Sequence, residues 1–95
     1  MEFEVTGEIF EWRGPAPYYY VRVPDELVDE LRQAAREVSY GWGVIPVRCR
    51  LGDTAFTTSL FPKDGGYLVP LKDKVRFAED AQEGDVVTVD LGIGR

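Results

Sequence analysis

The strongest constraint on the fold is a stretch in which apolar and polar residues alternate on both sides of a two-residue turn. Alternate residues from Ile45 to Leu51 are apolar, Gly52-Asp53 can form a tight turn, and residues 54–61 return with a second alternating pattern. Alternation with a period of two is typical of a strand with one buried face, and a short turn between two such runs is typical of a hairpin. The sequence therefore predicts a β-hairpin over about 44–61.

The turn also predicts the register of this hairpin. It places Arg48 opposite Thr57 and Cys49 opposite Phe56, and a slip by one residue would expose the apolar set. The residues expected to face the core are Ile45, Val47, Cys49, Phe56 and Leu60. The residues expected to face outward are Arg48, Arg50, Thr57 and Ser59.

Further strands are predicted on both sides of the hairpin. Residues 2–9 alternate with an acidic outer face. Gly7 lies among their apolar positions, where a glycine often marks a bulge or a close approach of another backbone, so we expect the strand to bend there. Residues 18–23, 67–71 and 86–91 are short β-branched or aromatic runs bounded by glycine and proline. We expect about six short strands in all.

Two helices are expected. Proline, two acidic residues and an apolar stripe at helical spacing predict an amphipathic helix over about 24–38, which ends before Gly41-Trp42-Gly43. Residues 72–80 predict one or two further helical turns. With 95 residues, 44% of them apolar, the chain can bury one core, so residues 1–95 are expected to form a single domain. The expected fold is mainly β: a small closed or half-closed β-barrel with one amphipathic helix and a short second helix.

Several chemistries are disfavoured by missing residues. The chain has no histidine, which removes the usual general base and the commonest metal ligand, and Cys49 alone cannot build a disulfide or a zinc site. We therefore expect no metal, no cofactor and no catalytic residue, although an enzyme that works without histidine stays the third hypothesis. A single cysteine, no apolar run of about 18 residues and no leader pattern favour the cytoplasm over the membrane.

The order and spacing of several short motifs resemble those of a small bacterial family of unknown function, DUF1905. The similarity rests on the N-terminal alternating strand, the tyrosine-rich strand that ends in Val23-Pro24, Trp42-Gly43 before Val47, the hairpin segment 52–60, and the segments 66–72, 75–76 and 84–87. The resemblance implies a double-split β-barrel. Related barrels include dimeric DNA-binding regulators, so it also keeps open a homodimer and a nucleic-acid-binding role by analogy of fold.

Two groups of residues are candidates for binding. Guanidinium groups and hydroxyls on one outward face predict an anion or ligand site, unless these arginines pair with the acidic N-terminal strand that carries Glu2, Glu4 and Glu8. The candidates for this site are Arg22, Arg48, Arg50, Thr57 and Ser59. Exposed aromatic and basic residues are candidates for contact with a partner, and the alternative is that they cover a small core or form a solvated surface. This second group comprises Trp42, Tyr18, Tyr20, Lys72, Lys74 and Arg76.

These patterns favour a small non-catalytic binding or protein-interaction module of the cytoplasm. A nucleic-acid-binding regulator is the alternative, because residues 31–60 carry four bases against two acids. The net charge of −6 disfavours that alternative, since binding to a phosphate backbone depends on many cationic contacts.

Overall fold

The computed structural model describes residues 2–13, 17–36 and 45–94. Its strands are β1 Glu2–Glu8, β2 Phe10–Arg13, β3 Pro17–Arg22, β4 Ile45–Leu51, β5 Thr54–Lys63, β6 Gly66–Leu71 and β7 Val86–Gly92. Its helices are α1 Asp25–Ala35 and α2 Asp73–Ala78. The expected mainly β fold with two helices is confirmed.

All seven strands belong to one curved antiparallel sheet with the order β1-β7-β4-β5-β6-β3-β2. The two end strands, β1 and β2, are consecutive in the chain and separated only by Ile9. The sheet therefore curls back on itself into a half-closed barrel. The pairing of β1 with β7 continues without a bulge through Gly7. At the seam, a Cβ atom built on Gly7 would lie 2.9 Å from Val21 Cγ1 and 3.4 Å from the Arg22 carbonyl oxygen, so of the two alternatives expected at this glycine the structure has the close approach.

The predicted hairpin register is confirmed. Arg48 pairs with Thr57 and Cys49 with Phe56, and Gly52 in the turn has a φ of 58°. Leu60 is fully buried and Phe56 is half-buried against the core. The inward residues of both halves of the sheet meet in one apolar core, which includes Val5, Val21 and Leu91.

Helix α1 covers one side of this core with Val28, Leu31 and Ala35. Pro24 was expected as its first residue but occupies the N-cap position, because its ψ of 141° is extended. The expected C-terminal end, at residues 37 and 38, lies outside the described residues. Arg32 fixes the helix to the β5–β6 turn by donating a hydrogen bond of 3.0 Å to the Gly65 carbonyl.

Strand β2 was not predicted, because its apolar residues face away from the core. The odd-numbered residues of β1, such as Val5, face the core. The odd-numbered residues that follow, Ile9 and Glu11, also lie on the inward side. The apolar residues of β2, Phe10 and Trp12, therefore fall on the outward face, opposite to the pattern expected of a strand with one buried face. None of the helices in the described part of the chain is long and apolar enough to cross a membrane.

Candidate functional site

Five aromatic residues form one cluster on the outward face of strands β2, β3 and β5, which we call the outer aromatic surface. They are Phe10, Trp12, Tyr18, Tyr20 and Phe61. Tyr20 lies at the centre, with its ring centroid 5.9–6.5 Å from those of the other four. Trp12 meets Phe61 edge-on at 5.7 Å. These separations are typical of favourable aromatic pairs, so the cluster is packed rather than loosely gathered.

The register of the sheet explains how these rings come together. Phe10 pairs with Tyr20, and Tyr20 pairs in turn with Pro70 on β6. Phe61 pairs with Leu68, which shares this outward face and is nevertheless only 1% exposed. The outer aromatic surface therefore has a buried base, although it lies on the side of the sheet away from the main core.

The rim of the outer aromatic surface remains open to solvent. Tyr18 is 59% exposed and Phe61 is 40% exposed, whereas Tyr20 is 8% exposed. Large aromatic side chains held at this exposure on a packed base are typical of contact surfaces. The exposed rings are therefore already held in place before a partner binds to them.

A cation and three hydrogen-bond donors accompany these rings. Lys63 Nζ lies 4.1 Å from the centroid of the Trp12 ring and 4.0 Å from Asp64 Oδ2. Within the part of the chain that the structure describes, the Trp12 indole N–H and the hydroxyls of Tyr18 and Tyr20 have no hydrogen-bond partner. Burial raises the pKa of Tyr20, and Tyr18 adds to the rise, so the Tyr20 hydroxyl stays protonated and able to donate at neutral pH.

The arginines of the predicted anion site lie on another part of the sheet. Arg48 stands between Gly92 and Thr57, and Arg50 stands between Asp90 and Ala55. They line an open groove of about 510 Å³ together with Glu2, Glu4 and Asp90, among other residues. Three carboxylates thus accompany two guanidinium groups, so the groove is net acidic.

Each arginine of this groove already has a partner. Arg48 lies 3.6 Å from Glu2 Oε2 and also donates a hydrogen bond to the Gly94 carbonyl. The pair with Glu2 crosses Gly92, where a Cβ atom would lie 2.6 Å from Arg48 Nη2. Arg50 donates to the Asp53 carbonyl at 3.4 Å. The pairing of an outward arginine with the acidic N-terminal strand, left open by the sequence, is therefore present at Glu2.

The remaining candidates for the anion site are Arg22, Thr57 and Ser59. Strands β5 and β6 separate Arg22 on β3 from Arg48 on β4 in the order of the sheet. Arg22 donates instead to the carbonyls of Lys63 and Asp64, at 3.4 Å each. Ser59 is exposed opposite Pro46. The fold brings four of the five candidates onto one face of strands β4 and β5, namely Arg48, Arg50, Thr57 and Ser59. It does not bring Arg22 to them.

The candidate partner contacts are divided in the same way. Tyr18 and Tyr20 belong to the outer aromatic surface, and Trp42 lies outside the described residues. Lys72 and Lys74 are exposed at the start of α2. Arg76 is 8% exposed, with Nη2 2.5 Å from Asp73 Oδ1, and among the described residues no partner is present for its Nε.

The inward side of β3 carries a separate polar cluster. The Arg76 guanidinium lies 3.8 Å from the centroid of the Tyr19 ring, and the Tyr19 hydroxyl donates to Glu11 Oε2 at 3.4 Å. The Glu11 carboxylate raises the pKa of Tyr19, burial raises it further, and Arg76 opposes the rise. Because its pKa is raised, the Tyr19 hydroxyl is a poor general base at neutral pH. The contacts of this cluster are suited instead to holding α2 on the barrel.

The thiol of Cys49 is also unsuited to chemistry. It is buried, as expected, and burial raises its pKa to about 12. A nucleophilic cysteine needs the thiolate at neutral pH. Within residues 2–13, 17–36 and 45–94, no group of three or more Cys, Asp or Glu residues is placed to hold a metal ion.

Sequence reasoning missed three members of the outer aromatic surface: Phe10, Trp12 and Phe61. The signal present in the sequence was the alternation of inward and outward positions along each strand. Phe10 and Trp12 continue the strand of Val5 and Ile9 on the opposite parity, which places apolar side chains on the outside. Phe61 directly follows the inward Leu60 and so faces outward as well.

Comparison with known proteins identifies the family of the chain. The family model for a domain of unknown function, DUF1905, matches residues 6–91. Among curated proteins, no match was found. The matched segment begins within β1 and ends within β7, and it includes every other strand and both helices. The chain therefore belongs to the DUF1905 family.

Proposed function

We propose that this protein is a non-catalytic protein-binding module and that the outer aromatic surface is its binding face. One observation carries the proposal: Tyr18 and Phe61 are exposed at the rim of a cluster whose centre, Tyr20, is buried. Aromatic anchors with a rigid base supply much of the binding energy at protein interfaces. Ordering costs are small because packing already holds the central ring.

Electrostatics favour this face over the arginine groove. A ligand with a phosphate backbone would meet Glu2, Glu4 and Asp90 beside Arg48 and Arg50, and it would have to compete with Glu2 for Arg48. A nucleic-acid-binding regulator therefore stays the alternative prediction, with weaker support. An enzyme without histidine is supported least, because the shifted groups, Tyr19, Tyr20 and Cys49, all have raised pKa values. A cytoplasmic setting is part of the proposal, supported by the single buried cysteine.

The test uses affinity capture with two matched pairs of substitutions. Tyr18→Ser with Phe61→Ser removes the two most exposed rings of the outer aromatic surface. Phe77→Ser with Val86→Ser removes side chains that are 72% and 69% exposed but lie elsewhere. The Phe77/Val86 variant should keep the wild-type melting temperature to within a few degrees, since it changes two largely exposed positions. The Tyr18/Phe61 variant loses the contacts of Phe61 with Trp12 and Tyr20, so its melting temperature should fall, and a cooperative unfolding transition above the assay temperature shows that it is still folded.

The expected result is a protein captured by the wild type and by the Phe77/Val86 variant but lost from the Tyr18/Phe61 variant. Equal capture by all three would refute the assignment of the binding face. Sedimentation equilibrium separates self-association from partner binding. A wild-type dimer that becomes monomeric only in the Tyr18/Phe61 variant would show that the surface serves a homodimer, against this proposal.

A further inference from the structure

We infer that two copies of this chain pair through strand β5, with residues 54–58 of each copy antiparallel to those of the other. These residues form the first half of β5, whereas Phe61, which belongs to the outer aromatic surface, lies in the second half. Self-pairing at this place goes beyond the proposed function and does not depend on it.

Strand β5 has one edge that no described strand covers along its first half. Strand β4 pairs with residues 54–60 along one edge, while β6 pairs along the other edge with residues 61–63. Continued in the same register, the β6 ladder would set Ser59 opposite Pro70, which has no N–H to donate, and the chain enters α2 soon afterwards. The second edge of residues 54–58 therefore has no strand partner among the described residues, and we call it the free edge of β5.

Burial along the hairpin agrees with an open edge. Thr54, Phe56 and Thr58 face inward, yet each is only half-buried. Their partners on β4, which has a strand on either side, are 4–5% exposed. Leu60, just before β6 joins the strand, is fully buried. The inward side chains of residues 54–58 thus stay partly exposed because β6 does not reach them.

The free edge of β5 presents two residues with a backbone donor and a backbone acceptor each. Leu51 and Thr54 close the two-residue turn and therefore exchange backbone hydrogen bonds, as every second pair of the hairpin does. Ala55 and Thr57 fall between these pairs, so their N–H and C=O groups point to the free edge. Two copies that pair about Phe56 would set Ala55 of each copy opposite Thr57 of the other and close four backbone hydrogen bonds.

Pairing about Phe56 also suits the side chains. The two Phe56 residues would face each other across a two-fold axis in a pair without hydrogen bonds, where Cα atoms approach to about 4.5 Å. A ring that is half-buried in one copy would then gain an aromatic partner. Thr54 would lie opposite Thr58, so that hydroxyl meets hydroxyl. Such a symmetric interface is complete with two copies.

Charge distinguishes the free edge of β5 from the strands at the two ends of the sheet. Residues 54–61 contain no charged residue, no glycine and no proline. In contrast, β1 carries three glutamates, and β2 carries Glu11 and Arg13. Charged side chains are a common protection of edge strands against pairing with another chain. In a chain with a net charge of −6, an uncharged edge lets a second copy approach without like charges meeting.

Sedimentation equilibrium of the full chain over a concentration series tests the inference. The wild type should show a monomer–dimer equilibrium. Ala55→Lys with Thr57→Lys would set like charges opposite each other across the two-fold axis, so this lysine variant should stay monomeric. The matched control is Val86→Lys with Thr88→Lys, which adds the same charges at the same spacing on exposed positions of β7, a strand with neighbours on both sides. It should dimerise as the wild type does.

Two further measurements separate loss of the interface from loss of the fold. Ala55→Glu with Thr57→Glu should also be monomeric alone, and mixing it with the lysine variant should restore a dimer, because opposite charges then face each other. Hydrogen exchange reports the register in the wild type. The amides of Ala55 and Thr57 should become protected as the concentration rises, whereas those of Phe56 and Thr58, which bond to β4, should be protected at every concentration.

Four results would overturn the inference. They are a wild type that is monomeric throughout the series, a dimer that persists in the lysine variant, a dimer lost equally in the β7 control, and a mixture of the two charged variants that stays monomeric. A dimer lost only in the Tyr18/Phe61 variant would overturn both this inference and the proposed function. Failure of partner capture while the β5 dimer forms would refute the proposed function alone.

Discussion

The Arg76 guanidinium lies against the face of the Tyr19 ring, 3.8 Å from its centroid, while Glu11 accepts a hydrogen bond from the hydroxyl of the same tyrosine. The two charges act in opposite directions on this group: the pKa of Tyr19 is raised chiefly by Glu11 and lowered by Arg76. The contact between Arg76 on α2 and Tyr19 on β3 can therefore be followed by measuring the pKa of Tyr19.

Substitutions at these two charges should move the titration of Tyr19 in opposite directions. Glu11→Gln removes the largest cause of the rise, so Tyr19 should ionise at a lower pH than in the wild type. Arg76→Gln removes a nearby positive charge, so Tyr19 should ionise at a higher pH. The ¹³Cζ shift of each tyrosine against pH measures this. Tyr20 is the internal control, because its own shift comes from burial and Tyr18.

The seam of the barrel should be intolerant of a side chain at Gly7. A Cβ atom there would lie 2.9 Å from Cγ1 of the fully buried Val21, which has no room to move. We expect Gly7→Ala to cost about 1–3 kcal/mol of the free energy of unfolding. Combining Gly7→Ala with Val21→Ala should cost less than the sum of the two single changes, as measured by urea unfolding.

Gly92→Ala is the matched control for Gly7. Its Cβ atom would also be crowded, but mainly by the end of the exposed Arg48 side chain and by the Glu2 carboxylate, both of which can move away. The expected cost is below about 1 kcal/mol, because an exposed ion pair contributes little. A larger cost at Gly92 than at Gly7 would contradict this description of the seam.

The docking of helix α1 should depend on Leu31. Leu31 is fully buried in the core, whereas its neighbour Glu30 is exposed. We expect Leu31→Ala to lower the free energy of unfolding by about 2–5 kcal/mol. Glu30→Ala should change it by no more than about 0.5 kcal/mol. Equal effects of the two substitutions would show that the helix does not pack through this face.

Burial of the Cys49 thiol should make the protein less stable in alkali. The folded state holds the proton up to a pKa of about 12, whereas the unfolded thiol loses it near 9. Between those values the unfolded state binds fewer protons, so stability is complete below about pH 9 and falls as the pH rises towards 12.

Urea midpoints at pH 8 and pH 10.5 measure this effect. The loss of stability between the two values should be smaller in Cys49→Ala than in the wild type. Some loss should remain in the variant, since the raised pKa values of Tyr19 and Tyr20 act in the same direction. An identical pH dependence in both proteins would mean that Cys49 is accessible to water.

The sequence predicted the parts of the fold in which local pattern and burial agree. In the hairpin, period-two alternation and the Gly52-Asp53 turn specify the same register, and the structure has that register. Helix α1 was predicted for the same reason, since its acidic first turn and its apolar stripe indicate the same orientation.

The candidate site was harder to predict, because its apolar side chains lie on the outward face of the sheet, where the local pattern predicts polar residues. Trp12 and Phe10 are apolar side chains on the outward face of a strand, and only the pairing of β2 with β3 and of β5 with β6 shows that they meet Tyr20 and Phe61. Arg76 shows the opposite error, because a charged residue in a short charged helix is buried against Tyr19. Both depend on contacts between residues distant in sequence, which no local pattern contains.

The most direct test of the binding face is site-specific photo-crosslinking in cells that express the protein. A photoreactive phenylalanine analogue replaces Phe61 within the outer aromatic surface or, as a control, Phe77 on α2, which is 72% exposed. If the outer aromatic surface binds a partner, position 61 should give a discrete adduct with another protein and position 77 should give none. Adding Tyr18→Ser should abolish the adduct from position 61. Adducts of equal yield from both positions, or from position 77 alone, would contradict the proposed binding face.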